Sequence, residues 1–377
     1  MRILRLISVF SCAMVLSALP VLAADIKIGF PGPITGNLGF LGEHMKWGAQ
    51  LAADEINTSG GLLGGKKIKI IMGDSKCAPA ESVSVVERLI SQEKVDVLLG
   101  DICSGATLAD MPIAKREGRP MLVTISSHPA ISEKSGVGGN PWVFRTSPTD
   151  AIIGALGGKG VLDQGFKSVA FIAEDTDYGR AGVESMRQVL KGKVNITSTD
   201  FTAADQTDFL SVLTRLRSQK PEAIAIYLLD RQLFNFMKQY QQFKLKMPLV
   251  GRPPLGSGLV TDLVNSGDFN GSWTVFQYLD SYDSKENTAF VASYKKAYGQ
   301  RPHFAGFAMY EGIQIIAEAI KSAGSTDPEK VREALKNIKY DSILGKIAFD
   351  DHHQAHNSIL KMTIIDGKLK VTGVVGQ

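Results

Sequence analysis

The sequence predicts an α/β protein of two similar lobes, each a parallel sheet covered by helices. Three observations predict it. Short apolar runs alternate with helical stripes from residue 26 onward, which is the rhythm of βαβ units. The rhythm restarts after Arg145, so one chain carries two such series. A length of 377 residues with 44% apolar and 21% charged side chains fits about two ordinary globular domains.

Residues 1–23 are set apart from that pattern. Arg2 and Arg5 precede an apolar stretch over 6–19, Pro20 follows, and Val21-Leu22-Ala23 supplies small residues at a cleavage site. The expectation is an export signal cut after Ala23. Its loss takes two positive charges from a formal net charge of +4, too little remaining charge for a nucleic-acid groove or a polybasic membrane surface. No later window approaches the roughly 20 apolar residues of a membrane span, so no membrane insertion is expected. Cys12 leaves with the leader, and Cys77 and Cys103 remain in an oxidising compartment. An even pair there predicts a disulfide. Free thiols or half of a metal site find no support, because no CxxC and no nearby Cys/His cluster exists.

In the first series, strands are expected at 26–30, 67–72, 95–100 and 121–125. Helices fall between them at 41–57, 79–92 and 104–117, the first with the stripe Leu41, Met45, Ala49, Ala52, Ile56. The second series places helices at 149–162, 179–190, 207–218 and 232–243, and strands at 168–173, 196–201, 223–228 and 249–251. The tail breaks the rhythm: a strand at 273–279, helices at 287–298, 304–323 and 328–337, then a hairpin of 359–365 and 368–374 around Asp366-Gly367. The economical division gives lobe 1 residues 24–145 plus 277–345, and lobe 2 residues 146–276 plus 346–377.

Several motifs invite chemistry and fail on spacing. Gly60-Gly61-Leu62-Leu63-Gly64-Gly65-Lys66 is followed by Lys67 where a phosphate loop needs Ser or Thr, and it joins a helix to a strand; it reads as a helix end and turn. His352, His353 and His356 lack a completing ligand set. Ser127 beside His128 offers no strained nucleophile elbow. No catalytic set, metal or cofactor is expected.

The polar loops after the strands carry more. Cys103-Ser104-Gly105-Ala106-Thr107 opens a helix, where Ser104 either caps it or joins free amides in holding an anion. Ser126 and Ser127 lie in the loop after the next strand, at the same carboxyl edge where open α/β sheets bind ligands. In the second series, Glu174-Asp175-Thr176-Asp177-Tyr178-Gly179 stands at the equivalent edge, read as an acidic helix start from which Tyr178 faces the first lobe or packs on its own.

The chain resembles the periplasmic solute-binding proteins of branched-chain amino acid ABC transporters, the leucine/isoleucine/valine type. The resemblance rests on the run from Ile28 to Gly36, on Ala53-Asp54-Glu55-Ile56-Asn57 with Gly60-Gly61, and on Cys77 with Cys103-Ser104. Asp177-Tyr178-Gly179 and Tyr310-Glu311-Gly312 extend it over 24–377. It implies two Rossmann-like lobes of the type I periplasmic binding protein joined by crossover strands, a periplasmic, non-enzymatic monomer, a cleft closing on a small ligand, and delivery to permease subunits. It places a ligand carboxylate on Ser104 and Ser127, a cleft tyrosine at Tyr178, and an aromatic position at Leu41, for which Phe40 substitutes. Where amino-acid binders of this type carry a glutamate for the ligand ammonium, this chain reads Arg252-Pro253-Pro254. Either another acid, such as Asp230 or Glu311, replaces it, or the ligand lacks an α-amino group, which Arg252 and Arg231 favour. An amino acid is the leading ligand class, an aromatic or other organic carboxylate the alternative, and a secreted α/β hydrolase the alternative of a different class.

Overall fold

A computed structural model describes residues 24–375; the expected leader lies outside them. The first lobe runs β1 (Ile26–Gly32), α1 (Gly39–Thr58), β2 (Ile68–Asp74), α2 (Pro79–Ser91), β3 (Val97–Leu99), α3 (Ser104–Arg116), β4 (Met121–Val123), a short α4 (Ala130–Glu133) and β5 (Val143–Arg145). All five strands are parallel in the order β2-β1-β3-β4-β5. β5 has no counterpart in the sequence reading, since three residues after a glycine-rich loop are too short a run to register.

The second lobe runs α5 (Asp150–Asp163), β6 (Ser168–Glu174), α6 (Asp177–Leu190), β7 (Asn195–Thr202), α7 (Leu210–Gln219), β8 (Ala223–Tyr227), α8 (Asp230–Gln242) and β9 (Leu249–Gly251). Its sheet is parallel, in the order β7-β6-β8-β9. Continuous apolar runs such as Val169–Ala173 form these strands because both faces are covered.

The tail adds α9 (Thr261–Asn265), β10 (Trp273–Phe276), α10 (Lys285–Tyr298), α11 (Phe304–Ala323), α12 (Pro328–Lys336), the small ribbon β11 (Tyr340–Ser342) and β12 (Gly345–Ile347), and the hairpin β13 (Ile359–Ile365) with β14 (Lys368–Val375). α11 packs along α1, where Gly48 lets the Gly306 backbone approach so closely that any Cβ would collide with it. β10 and β13 pair antiparallel and feed both cores. Trp273, Val275 and Ile359 pack in the second lobe, whereas Phe276, Leu360 and Met362 pack in the first. Ile347 and Ala355 also join the first core. No helix among the described residues is long and apolar enough to cross a membrane.

The set-aside motifs are structural. Gly60 to Lys66 form a tight turn after α1, closed by a bridge between Leu62 and Lys66. The His353 ring stacks on Phe144 at 4.0 Å with Nδ1 against the Val143 carbonyl, while His356 bonds Asp350 and His352 is exposed, so the three histidines do not converge.

Candidate functional site: an interlobe cleft

The carboxyl ends of both sheets face one cavity of about 510 Å³, within the range that buries a small organic ligand. From the first lobe come Thr35 to Leu38 after β1, Ile102 to Gly105 after β3, and Ile125 and Ser127 after β4. The β1/β3 boundary is where the strand order reverses, so the crevice opens at the topological switch point. Across it stand Glu174 at the end of β6, Tyr178 after it, Leu229 after β8, and Arg252 and Pro254 after β9, with Phe276 and Phe304 from the tail. Aromatic and aliphatic walls surround a few polar groups.

Cys77 and Cys103 form a disulfide with Cα atoms 5.5 Å apart, and both line the cavity. It ties the loop after β2 to the start of α3. The Asp101 carboxylate accepts from the Cys103 amide at 2.8 Å, which fixes that turn. Burial pushes the Asp101 carboxyl up to about 6. Cys77, Asp101 and Cys103 are the one close group of potential metal ligands among the described residues, and the disulfide removes its thiolates.

Ser104 is the first residue of α3 and does not cap it; its hydroxyl accepts from the His128 amide at 3.4 Å. With no side-chain cap, the amides of the first turn have no intrahelical acceptor. Ser127 does not face His128. Its hydroxyl accepts from Arg252 Nη1 at 2.7 Å, and His128 Nδ1 accepts from the Ala130 amide, so a nucleophile–base pair is absent here.

Arg252 is the centre of the polar end. Nη1 also donates to Asp150 at 2.6 Å and Nη2 to Gln277 at 3.1 Å, while the guanidinium lies 5.3 Å from the Tyr178 ring and 5.5 Å from that of Phe276. The ion pair is buried on both sides. Burial raises the Asp150 carboxyl, with Arg252 opposing. Arg145, also buried, is lowered to about 10 chiefly by desolvation, with Asp150 pulling it back up. Arg145 donates to Gln354 and to the His128 carbonyl behind the wall, so Asp150 is the ion-pair partner of Arg252 alone. Tyr178 is half-buried, and burial raises its hydroxyl pKa.

The remaining expected residues lie elsewhere. Ser126 is sealed behind the wall, exchanging hydrogen bonds with Thr107 and the Asp101 carbonyl. Leu41 is 1% exposed in the first-lobe core, as its helical stripe implies; Leu38, one turn earlier, lines the cavity. Phe40 packs on His44 and His303 in a second cavity. Asp230 is bound by His303 Nε2 at 2.7 Å, and Glu311 by the Ser342 hydroxyl, so neither lines the cleft. Arg231 is exposed on α8.

Sequence reasoning missed Asp150, Gln277, Phe276, Phe304 and Glu174. Glu174 was read as part of a solvated acidic helix start; Asp175 and Asp177 are exposed, but Glu174 is 4% exposed and lines the cleft. An acid closing the apolar run of β6 is the signal that could have found it.

A protein family described as periplasmic binding protein matches residues 25–368. The chain is 24% identical, over 89% of each chain, to a leucine-, isoleucine-, valine-, threonine- and alanine-binding protein of Pseudomonas aeruginosa. A solute-binding protein of an R. palustris ABC transporter, solved with benzoate, has a TM-score of 0.85 at 25% identity, covering 93% of this chain and 96% of that one. A branched-chain amino acid substrate-binding protein of Streptococcus pneumoniae, solved with isoleucine, has a TM-score of 0.82 at 25% identity, covering 94% and 100%.

Proposed function

Because the chain belongs to the periplasmic binding protein family, we propose that its interlobe cleft captures a small carboxylate, aromatic rather than α-amino, for an ABC importer. The role itself is that of a solute-binding transport component, as in its relatives. In this reading the chain is exported, cut after Ala23, acts as a monomer, and closes its lobes over the ligand before meeting the permease.

Arg252 is the single observation that carries the ligand class. It stands next to Pro253, which falls where the resemblance puts an ammonium-binding glutamate, and a cation there cannot hold a cation. Its guanidinium lies at the cavity wall beside Ser127, where it draws an anionic group toward the same donors. Ser104, Ser127 and the first amides of α3 supply donors for its oxygens, and the dipole of α3 adds to the attraction. Phe276, Phe304 and Tyr178 offer faces and edges to a planar ring. The amino-acid ligands of the relatives favour a second reading, a branched-chain amino acid.

A thermal-shift comparison of benzoate, leucine and isoleucine separates the two. A ligand at a hundred times its Kd stabilises the folded state by about 2.7 kcal/mol. The aromatic acid is expected to raise the melting temperature; a rise with the amino acids alone overturns the proposal.

A further inference from the structure

Glu174 lines the ligand cavity, is 4% exposed, and has no ion-pair partner among the described residues. Its Oε1 accepts from the Thr176 hydroxyl at 3.0 Å. Oε2 makes no hydrogen bond, yet it is absent from the fully buried polar atoms that lack a partner, so it keeps accessible surface. Burial in this apolar wall, with no cation beside it, pushes the carboxyl up to about 7. Of the charged groups that share the cavity, Lys76, Asp177 and Asp205 are exposed, while Arg252 is committed to Ser127, Asp150 and Gln277. Holding a carboxyl in so dry a place costs stability. The one hydrogen bond from Thr176, whose hydroxyl also accepts from the Gly179 amide to cap α6, offsets that cost only in part, as the raised carboxyl shows.

The sheet sets where Glu174 stands. It ends β6, and Arg252 follows β9, with β8 between them. Adjacent strands lie about 4.8 Å apart, so the two positions are separated by roughly 10 Å along one sheet edge. The Arg252 guanidinium makes its bonds to Ser127, Asp150 and Gln277 and none to Glu174, so the two groups are separate polar points of the cavity.

We propose that Glu174 is a specificity-determining residue of the cleft, accepting a hydrogen bond from a hydroxyl on the ring of the ligand, at the end opposite its carboxylate. The assignment rests on the aromatic-carboxylate reading and deepens it to a hydroxylated aromatic acid. A site built to hydrogen-bond a hydroxyl discriminates strongly against the analogue that lacks it, because the buried acceptor is then left unpaired.

The test is calorimetric titration of the full chain with 4-hydroxybenzoate and benzoate, for the wild type, Glu174→Leu and Glu174→Gln. The wild type is expected to prefer 4-hydroxybenzoate by tenfold or more. Glu174→Leu is expected to bring the ratio of the two affinities to about one, and a far-ultraviolet circular dichroism spectrum matching the wild type certifies its fold. Glu174→Gln, which keeps a carbonyl acceptor, retains part of the preference. Equal wild-type affinity for the two acids, or a preference unchanged in Glu174→Leu, overturns the assignment alone. If neither acid binds the wild type, the aromatic reading falls and the assignment falls with it.

Discussion

Replacing Arg252 by methionine separates the two roles that the structure gives this side chain. In the protein it neutralises Asp150 and binds Ser127 and Gln277; toward the ligand it supplies charge. Breaking a buried ion pair from one side typically costs about 3–5 kcal/mol, because the surviving charge is stranded. Arg252→Met should approach the low end, since Arg145 still attracts Asp150 and burial already raises that carboxyl toward neutrality. Removing both charges, in Arg252→Met with Asp150→Leu, should recover all but about 1 kcal/mol, as replaced buried pairs commonly do. Binding behaves differently: hydrogen bonds to a charged group contribute about 1.5–3 kcal/mol, so both variants should bind a carboxylate ligand roughly tenfold to a hundredfold more weakly. Urea unfolding and calorimetric titration on the three proteins read the two quantities separately. Wild-type affinity in the double variant would refute the role of Arg252 in the site; failure to recover stability would refute the account of Asp150.

Ser127→Ala should weaken carboxylate binding about tenfold or more, and Ser126→Ala should leave affinity unchanged while costing about 1 kcal/mol of stability, because only Ser127 faces the cleft; titration and urea unfolding of the pair check both, and equal binding losses would contradict the geometry. Replacing Cys77 and Cys103 by serine should lower unfolding stability by about 3.5 kcal/mol on the chain-entropy account, and unchanged denaturation would contradict it. Burial works against the charge of Asp230, but the His303 ring and hydroxyl bonding from Ser257 win, and its carboxyl lies below the usual range. A depressed carboxyl contributes stability above its unfolded value of about 3.9, lost as pH falls through the folded one. His303→Gln should therefore flatten the acid limb of stability below about pH 4, and an acid slope identical to that of the wild type would rule out the pairing.

The sequence made the two sheets legible because their strands are buried on both faces and read as unbroken apolar runs, as in Val169–Ala173. Ser104, Ser127 and Tyr178 were also legible, since each follows a strand and marks a carboxyl edge. Leu41 shows the conflict between two signals: its periodicity assigned it to the core and the resemblance to the cleft, and packing against the first sheet follows the periodicity. Asp150 and Gln277 could not be found, because their roles depend on Arg252, which lies 102 positions from Asp150 and 25 from Gln277 in sequence. Their partners are set by how the lobes meet, and no local pattern encodes that. Phe276 and Phe304 were missed for the same reason: as apolar residues in elements 273–276 and 304–323 they are indistinguishable from core until the tail is docked between the lobes.

Calorimetric titration of the wild type with benzoate and with benzamide at matched ionic strength tests the central claim most directly, because the two ligands share the ring and differ in charge. Saturable one-site binding of benzoate, with the amide at least tenfold weaker, is the predicted result. Equal affinity for both, or binding of leucine with none of benzoate, would contradict it.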